Sequence, residues 1–177
     1  KNTRLFNKLK HGADALITLV IFLLQSPLFL AIALAVKLDS PGPVFYRSSA
    51  VGKNGKIFQM YKFRSMCADA ERQLVDLVDI DQLDEPVFKL DDDPRVTRFG
   101  RILRRWSLDE LPQFWNVLIG HMSLVGPRPE ELRIVARYNA WHRRRLAVKP
   151  GLSGPMQVSG RADLSLDERV HLEVDYI

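Results

Sequence analysis

The stretch that decides the fold is an apolar run near the N-terminus, ALITLVIFLLQSPLFLAIALAV, residues 15–36. Only Thr18 and the tripeptide Gln25-Ser26-Pro27 interrupt it. About 20 apolar residues suffice for a helix to cross a bilayer. Pro27, however, lies near the centre of the run, where proline removes a helical hydrogen bond and clashes with the preceding turn. We therefore expect two helices with a break at Ser26 and Pro27, where the neighbouring polar side chains can bind the freed backbone groups.

The charges around this run predict which way the chain leaves the membrane. Each half is ~15 Å long at about 1.5 Å per residue, roughly half the thickness of the hydrocarbon layer. Positive charge favours the cytoplasmic side, and basic residues flank both ends. They are Lys1, Arg4, Lys8 and Lys10 before the run and Lys37, Arg47, Lys53, Lys56, Lys62 and Arg64 after it. We predict a re-entrant helix–break–helix over residues 1–37; a kinked span stays open, and a signal peptide is disfavoured because no small-residue cleavage site follows.

Composition narrows the class of protein. The 177 residues fit one domain, and 26 basic against 21 acidic residues leave a net charge of +5, which suits anionic partners such as nucleotides or acidic lipid. Nucleic acid is disfavoured as a partner because the arginines are not interleaved with stacking aromatics. Cys67 is the single cysteine, so no intrachain disulfide forms, and the four histidines lack metal-ligand spacing. The first residue is Lys, so the chain can be the C-terminal part of a longer protein. Only one domain boundary is visible, near Lys37, and it separates residues 38–177 from the apolar run.

The remaining sequence predicts an α+β fold, mainly helical with a small β-hairpin. Short strands are expected at 44–46 and 57–61, joined through Gly52-Lys53-Asn54-Gly55, because Asn-Gly between apolar runs favours a hairpin. Apolar spacing predicts helices over 68–83, 111–119, 130–148 and 165–177. The third of these carries an aromatic and an arginine stripe, which fits either a membrane-surface helix or an ordinary helix packed on the core.

Two adjacent acids in Ser107-Leu108-Asp109-Glu110-Leu111-Pro112-Gln113 carry the strongest chemical signal. Paired carboxylates can bind a divalent cation or attack phosphorus. Ser107 and Glu110 also fit a helix capping box, although Pro112 would then lie beyond the tolerated first turn. We therefore expect a helix that begins near Asp109, where backbone N–H groups attract phosphate and hold the basicity of Asp109 low.

Basic residues that could meet phosphate occur in three places. Arginines at 95, 98, 101, 104 and 105 recur at helical spacing, where solvated surface, lipid headgroups and substrate phosphate are all open. Lys62-Phe63-Arg64 is a weak phosphate signal. Pro127-Arg128-Pro129 is more specific, because two prolines restrict the backbone and give the guanidinium a rigid platform. The acidic run Asp91–Asp93 is either a surface loop or a second metal site.

These motifs together resemble the monotopic phosphoglycosyl transferases, the bacterial sugar transferases that begin exopolysaccharide, capsule or O-antigen synthesis. The resemblance covers nearly the whole chain. Besides the elements above it includes Ser40-Pro41-Gly42-Pro43-Val44, Asp93-Pro94-Arg95-Val96-Thr97, Met122-Ser123-Leu124-Val125-Gly126, Lys149-Pro150-Gly151 and Gln157-Val158-Ser159-Gly160-Arg161.

The resemblance implies an enzyme on the cytoplasmic face of the bacterial inner membrane, with residues 38–177 as its cytoplasmic catalytic domain. It implies that a sugar 1-phosphate moves from a UDP-sugar to polyprenyl phosphate, normally undecaprenyl phosphate, with release of UMP. Asp109 would be the nucleophile, and Asp109 and Glu110 would lie at a Mg²⁺. The expected substrate-binding residues are Lys62, Arg64, Arg95, Arg98, Gln113, Pro127, Arg128, Pro129, Gln157 and Arg161. Neither the sugar nor the oligomeric state follows from the sequence.

The chain departs from the family pattern in the first strand. Arg47-Ser48-Ser49-Ala50-Val51-Gly52 stands where the family has Arg-Gln-x-Arg-Val-Gly, so a Gln and an Arg are replaced by small residues. His121 stands where the family commonly has an acid. These differences keep a second hypothesis open, in which the chain is a basic membrane-surface module that binds a nucleotide sugar or a polyanion without turnover.

The re-entrant hairpin predicts that both flanks of the apolar run face the same side of the membrane. With Cys67 replaced by Ser, single cysteines at Lys8 and Lys37 should react with an impermeant thiol reagent from the cytoplasmic side only. Labelling of the two positions from opposite sides would instead establish a kinked span.

Overall fold

The computed structural model describes residues 3–77, 92–159 and 164–177. This part of the chain is α+β, with many helices and two small sheets. The helices are α1 (Thr3–Leu24), α2 (Ser26–Asp39), α3 (Ala70–Leu77), α4 (Arg98–Arg105), α5 (Gln113–Leu118), α6 (Leu132–Ala136), α7 (Pro155–Val158) and α8 (Leu166–Tyr176). The strands are β1 (Phe45–Val51), β2 (Ile57–Phe63), β3 (Ser123–Val125), β4 (Glu130–Glu131) and β5 (Gly151–Ser153). Three 3₁₀ turns occupy Lys53–Gly55, Leu108–Glu110 and His142–Ala147.

The apolar run folds as two helices that meet at a sharp bend, so the predicted break is confirmed. The segments Lys8–Leu24 and Ser26–Asp39 are inclined by 64°. Ser26 Oγ donates to the carbonyl of Leu23 at 2.9 Å, and Pro27 lies in the first turn of α2, where its missing N–H costs nothing. Within the described ranges no single helix is long and apolar enough to cross a membrane. The two helices of this bent pair together meet that requirement, by length and composition.

The start of α1 is attached to the rest of the fold by polar contacts. Lys10 Nζ lies 3.1 Å from Asp14 Oδ2 and also donates to the hydroxyl of Ser123 in β3. That hydroxyl donates in turn to Asp14. Further along, Thr18 is fully buried. The helix therefore follows the body of the protein before it reaches the bend, and the domain boundary near residue 37 stays a prediction.

The predicted hairpin is present, and its first strand is longer than the sequence suggested. β1 and β2 pair antiparallel from Phe45–Phe63 to Val51–Ile57. Asn54 and Gly55 have positive φ values of 57° and 78°, a conformation that Asn and Gly tolerate best. β4 pairs antiparallel with the end of β1, which gives the strand order β2–β1–β4, and β3 pairs in parallel with β5.

The predicted helix over 130–148 is wrong. Its first two residues form β4, α6 is only one and a half turns long, and the segment ends in the 3₁₀ turn His142–Ala147. Asn139 explains the interruption, because its side-chain carbonyl accepts from the N–H of His142 at 2.9 Å and so competes with helical bonding. Ile134 and Tyr138 are buried against α8, so the side of the segment that carries these two residues belongs to the core and not to a membrane surface.

The other helical predictions hold to varying extents. α3 lies inside the predicted 68–83 helix, whose last part falls outside the described residues, as does Asp91. The arginine run forms α4, although Arg95 precedes it, and the hydroxyl of Thr97 caps the helix by accepting from the N–H of Gly100 at 3.0 Å. α8 fills the predicted 165–177 segment, and Ser165 and Glu168 form a complete capping box at its start.

Packing around β2 places the acidic pair. Phe58 and Met60 lie in a buried cluster with Val117 of α5, while Phe63 packs with Leu103 of α4 and with α2. Asn116 joins α5 to β2 in two ways: its Oδ1 accepts from the N–H of Tyr61 at 3.1 Å, and its Nδ2 donates to the carbonyl of Gln59 at 2.7 Å. The turn Leu108–Glu110 is therefore held between α4, β2 and α5.

Arg64 binds the backbone at the C-terminal end of the helical hairpin formed by α1 and α2. Its side chain is only 6% exposed, and it donates to the carbonyls of Ser40 at 2.7 Å, of Val36 at 3.3 Å and of Pro41. These carbonyls lie at the end of α2, where helical partners run out. The guanidinium thus binds the backbone of the hairpin, and the role of Arg64 in substrate binding stays a prediction.

Replacing Arg64 by Ala should lower the free energy of unfolding by about 3 kcal/mol, because buried carbonyls lose a charged donor. Denaturant unfolding followed by far-UV circular dichroism measures this change. Arg47→Ala is the matched control, since this arginine lies exposed on the adjacent strand, and it should change stability by less than about 0.5 kcal/mol. Equal effects of the two substitutions would contradict the role assigned to Arg64.

Candidate active site

The acidic pair lies in a tight 3₁₀ turn and not at the start of an α-helix. Ser107 adopts the left-handed conformation, φ 55° and ψ 23°, and its side chain caps no helix, so the capping-box interpretation is wrong. The α-helix that follows begins at Gln113, after Pro112, later than predicted. Asp109 is 8% exposed in this turn.

Glu110 is the meeting point of two cations from distant parts of the chain. Arg128 Nη2 lies 2.7 Å from Glu110 Oε1, and its Nη1 lies 3.4 Å from Oε2. Lys62 Nζ, at the end of β2, lies 3.4 Å from Oε1. Burial by itself would raise the pKa of Glu110, but the charges of Arg128 and Lys62 outweigh it and lower the pKa to about 2.

Asp109 has the opposite electrostatic environment. Burial raises its pKa, the positive charges of Lys62 and Arg104 lower it in part, and the neighbouring Glu110 raises it further. In the part of the chain that the structure describes, Asp109 forms no salt bridge of its own, in contrast to Glu110. The expected low basicity of Asp109 is therefore wrong, since the turn gives it burial without the helix N-terminus that would have lowered its pKa. A desolvated carboxylate is a stronger nucleophile than a solvated one.

Arg104 is a cation of this site that the sequence did not single out from its run. It lies in the last turn of α4, its charge acts on Asp109, and its Nε donates to the hydroxyl of Ser65 at 3.0 Å. The available signal was position, because Arg104 lies in the last turn of the helix that directly precedes the acidic turn Leu108–Glu110.

The structure brings together only some of the other predicted site residues. Arg95 is buried and binds Asp93 through both carboxylate oxygens, at 2.8 and 2.6 Å, so this pair orders the loop before α4. The phosphate and metal roles expected of these two residues stay predictions. Arg98 is exposed at the start of α4, and Gln113 is 2% exposed at the start of α5.

The remaining predicted residues lie on the second half of the chain. Pro127 and Pro129 are buried on either side of Arg128, whose side chain is one-third exposed (32%) and reaches Glu110. Gln157 is half-buried on α7. Arg161 lies outside the described residues.

The donor set suits a metal ion only in combination with a substrate. Among the described residues no cluster of three or more His, Cys, Asp or Glu side chains could hold an ion. Mg²⁺, however, commonly takes one or two carboxylates and completes its shell with substrate phosphates and water. Asp109 fits that requirement best, whereas both oxygens of Glu110 already contact cations.

Sequence comparison connects this site to known proteins. The family described as "Bacterial sugar transferase" matches residues 5–177. The chain belongs to this family. The match includes both the hairpin and the acidic turn, so the sugar-transferase assignment rests on the whole described fold.

Individual sugar transferases resemble the chain closely. The galactosyl transferase CpsE of Streptococcus agalactiae is 50% identical over 77% of this chain and 30% of its own length. The UDP-N-acetylgalactosamine-undecaprenyl-phosphate N-acetylgalactosaminephosphotransferase of Aeromonas hydrophila is 42% identical over 95% of the chain and 38% of its length. The UDP-glucose:undecaprenyl-phosphate glucose-1-phosphate transferase of Escherichia coli is 41% identical over 96% and 36%.

The chain spans about a third of the length of these three sugar transferases. Their names agree on sugar transfer, and two of them name undecaprenyl phosphate, but each names a different sugar. Family membership therefore does not fix the sugar.

Replacing the two acids of this candidate site should have opposite effects on stability. A raised pKa means that ionised Asp109 opposes folding at neutral pH, and this penalty vanishes as the pH falls below its ordinary value of 3.8. Asp109→Asn should therefore stabilise the ligand-free protein at pH 7 by roughly 1 kcal/mol, as often seen at functional sites.

Glu110→Gln should destabilise the protein at pH 7. The lowered pKa of Glu110 means that its contribution to stability, of the order of 3 kcal/mol at most, is present above its ordinary pKa of 4.5 and is lost as the pH falls toward 2. Thermal unfolding from pH 7 to pH 3 measures both variants. Effects of the same sign at pH 7 would contradict the electrostatic asymmetry of the pair.

Proposed function

We propose that the chain transfers a sugar 1-phosphate from a UDP-sugar to a polyprenyl phosphate, normally undecaprenyl phosphate, and that Asp109 carries the phosphosugar in between. The observation that carries this proposal is the asymmetry of the acidic pair. Glu110 is neutralised by two cations, while the neighbouring Asp109 is buried without a salt bridge among the described residues. Of these two acids, Asp109 is therefore the one whose carboxylate is available for bond formation.

The proposed reaction has two displacements at one phosphorus. In the first, a carboxylate oxygen of Asp109 attacks the phosphorus that bears the sugar, the bond from that phosphorus to the bridging oxygen breaks, and UMP leaves with the bonding electrons. In the second, a phosphate oxygen of the polyprenyl phosphate attacks the same phosphorus and displaces the carboxylate. Asp109 is regenerated, and the product is a polyprenyl diphosphate sugar.

The surrounding cations have distinct parts in this scheme. Lys62, Arg104 and Arg128 supply the positive charge that stabilises the negative oxygens of a diphosphate. Glu110 keeps Arg128 and Lys62 at the turn. A Mg²⁺ bound by Asp109 and the donor phosphates, with Glu110 able to contribute after it releases a cation, would neutralise charge on the leaving group.

The hairpin suits a site that must reach a lipid phosphate. Several leucines on α1 and α2 are exposed, among them Leu16 (65%), Leu24 (77%) and Leu30 (73%), and they can lie in the hydrocarbon of one leaflet. α2 packs on α4 and β2, which hold the acidic turn. We place the apolar run of the hairpin, residues 15–36, in the cytoplasmic leaflet of the bacterial inner membrane and the catalytic domain on its surface, where the site meets the polyprenyl phosphate.

UMP release from a panel of UDP-hexoses and UDP-N-acetylhexosamines, with undecaprenyl phosphate as acceptor, tests the function. We expect UMP with at least one donor, loss of release when Mg²⁺ is chelated, and loss by at least about 10³-fold in Asp109→Asn. Asp69→Asn, at an exposed aspartate on the protein surface, should retain full activity.

A donor labelled in the sugar 1-phosphate tests the intermediate. Denaturation of the protein shortly after mixing without acceptor should leave label on the wild-type chain and none on Asp109→Asn. Product formation without any labelled protein would reject the aspartyl intermediate and keep the transfer. Retained UDP-sugar binding without UMP from any donor would favour a binding module.

A further inference from the structure

A buried ion pair behind the candidate site holds the backbone of Arg128. Glu173 of α8 is completely buried, and Arg145 is 2% exposed. Arg145 Nη2 lies 2.6 Å from Glu173 Oε2. Two charges removed from water so completely need excellent mutual geometry and further hydrogen bonds, so their other contacts show what the pair does.

Both members of the pair bind the main chain of Arg128. The N–H of Arg128 donates to Glu173 Oε1 at 2.7 Å, and the carbonyl of Arg128 accepts from Arg145 Nη2 at 2.7 Å. The two polar groups of this one peptide segment are thus fixed by one ion pair. On its other side, Arg145 donates to the hydroxyl of Tyr138 and lies 3.6 Å from Glu130.

This arrangement determines where the guanidinium of Arg128 can lie. Pro127 and Pro129 restrict the backbone dihedral angles on either side. With its N–H and carbonyl also fixed, Arg128 keeps only the freedom of its side chain, which reaches Glu110 at 2.7 Å. Displacement of the backbone by even 1 Å would break that contact and the charge pattern around Asp109.

We infer that Glu173 and Arg145 are positioning residues, which set the place of Arg128 for binding the diphosphate of the donor. This inference rests on the proposed function for its ligand, but the backbone contacts that it invokes can be measured without any ligand. α8 thereby supports the donor site from behind, through the contact of Glu173 with the backbone of Arg128.

Two substitutions at one position separate positioning from simple packing. Glu173→Gln and Glu173→Leu both remove the charge that neutralises Arg145, and their side chains are of similar size. Only Gln keeps an oxygen that can accept from the N–H of Arg128. We expect the KM for the UDP-sugar to rise by about tenfold or more in Glu173→Leu and by less than about threefold in Glu173→Gln, with kcat changed less than KM in both.

Val170→Ala is the control for the docking of α8. Val170 is fully buried on the same face of this helix, one turn before Glu173, and it belongs to the apolar cluster there. This variant should lower the unfolding temperature and leave the KM for the UDP-sugar within about twofold of the wild-type value. Equal rises in KM for Val170→Ala and Glu173→Leu, or equal rises for Gln and Leu at position 173, would overturn the inference.

Hydrogen–deuterium exchange of the Arg128 amide provides a readout that needs neither activity nor a stable Leu variant. This amide stands alone between two prolines, which have no N–H, and it should be strongly protected in the wild-type protein and remain largely protected in Glu173→Gln. Unprotected exchange in the native wild-type protein would overturn the inference outright. If the wild-type protein releases no UMP while this amide is protected, the proposed function fails and the positioning of Arg128 stands.

Discussion

The contact between Glu110 and Arg128 is the interaction on which the arrangement of the site depends. It joins a tight turn after α4 to a proline-flanked loop that follows β3, and Lys62 adds the end of β2 to the same carboxylate. Three segments far apart in sequence thus converge on one side chain. The neighbouring Asp109 is buried, and nearby cations offset its charge only in part. The two adjacent acids therefore differ in pKa, which is raised for Asp109 and lowered for Glu110.

Local chemistry was enough to predict several features from the sequence. Proline at position 27 predicted a break in the apolar run, and the spacing of apolar residues predicted a helix over 165–177; both are present in the structure. The Asn-Gly pair likewise predicted the β-hairpin turn. Each of these depends on a residue and its immediate neighbours, which is why the sequence alone decides them.

Features that depend on distant partners were not predictable in the same way. Arg64 and Arg95 looked like phosphate ligands, but their guanidinium groups bind backbone carbonyls and Asp93, and nothing local distinguishes these uses. The helix expected over 130–148 failed for a local reason that apolar spacing does not register, because Asn139 accepts from the N–H of His142 three residues further on. The direction of the pKa shift of Asp109 depends on burial, which only the folded chain reveals.

The contacts of Arg64 have a consequence for any attempt to separate the helical hairpin from the rest of the chain. A Cβ at Gly42 would collide with the guanidinium of Arg64, and Gly42 itself has a φ of 124° that other residues rarely adopt. The end of α2, the loop at Gly42 and Arg64, which directly follows β2, therefore form one structural unit. A cut after residue 37, or a hairpin taken from another protein, would remove part of this unit. Chimeras should therefore exchange residues 36–42 together with β1 and β2, because β2 positions Arg64.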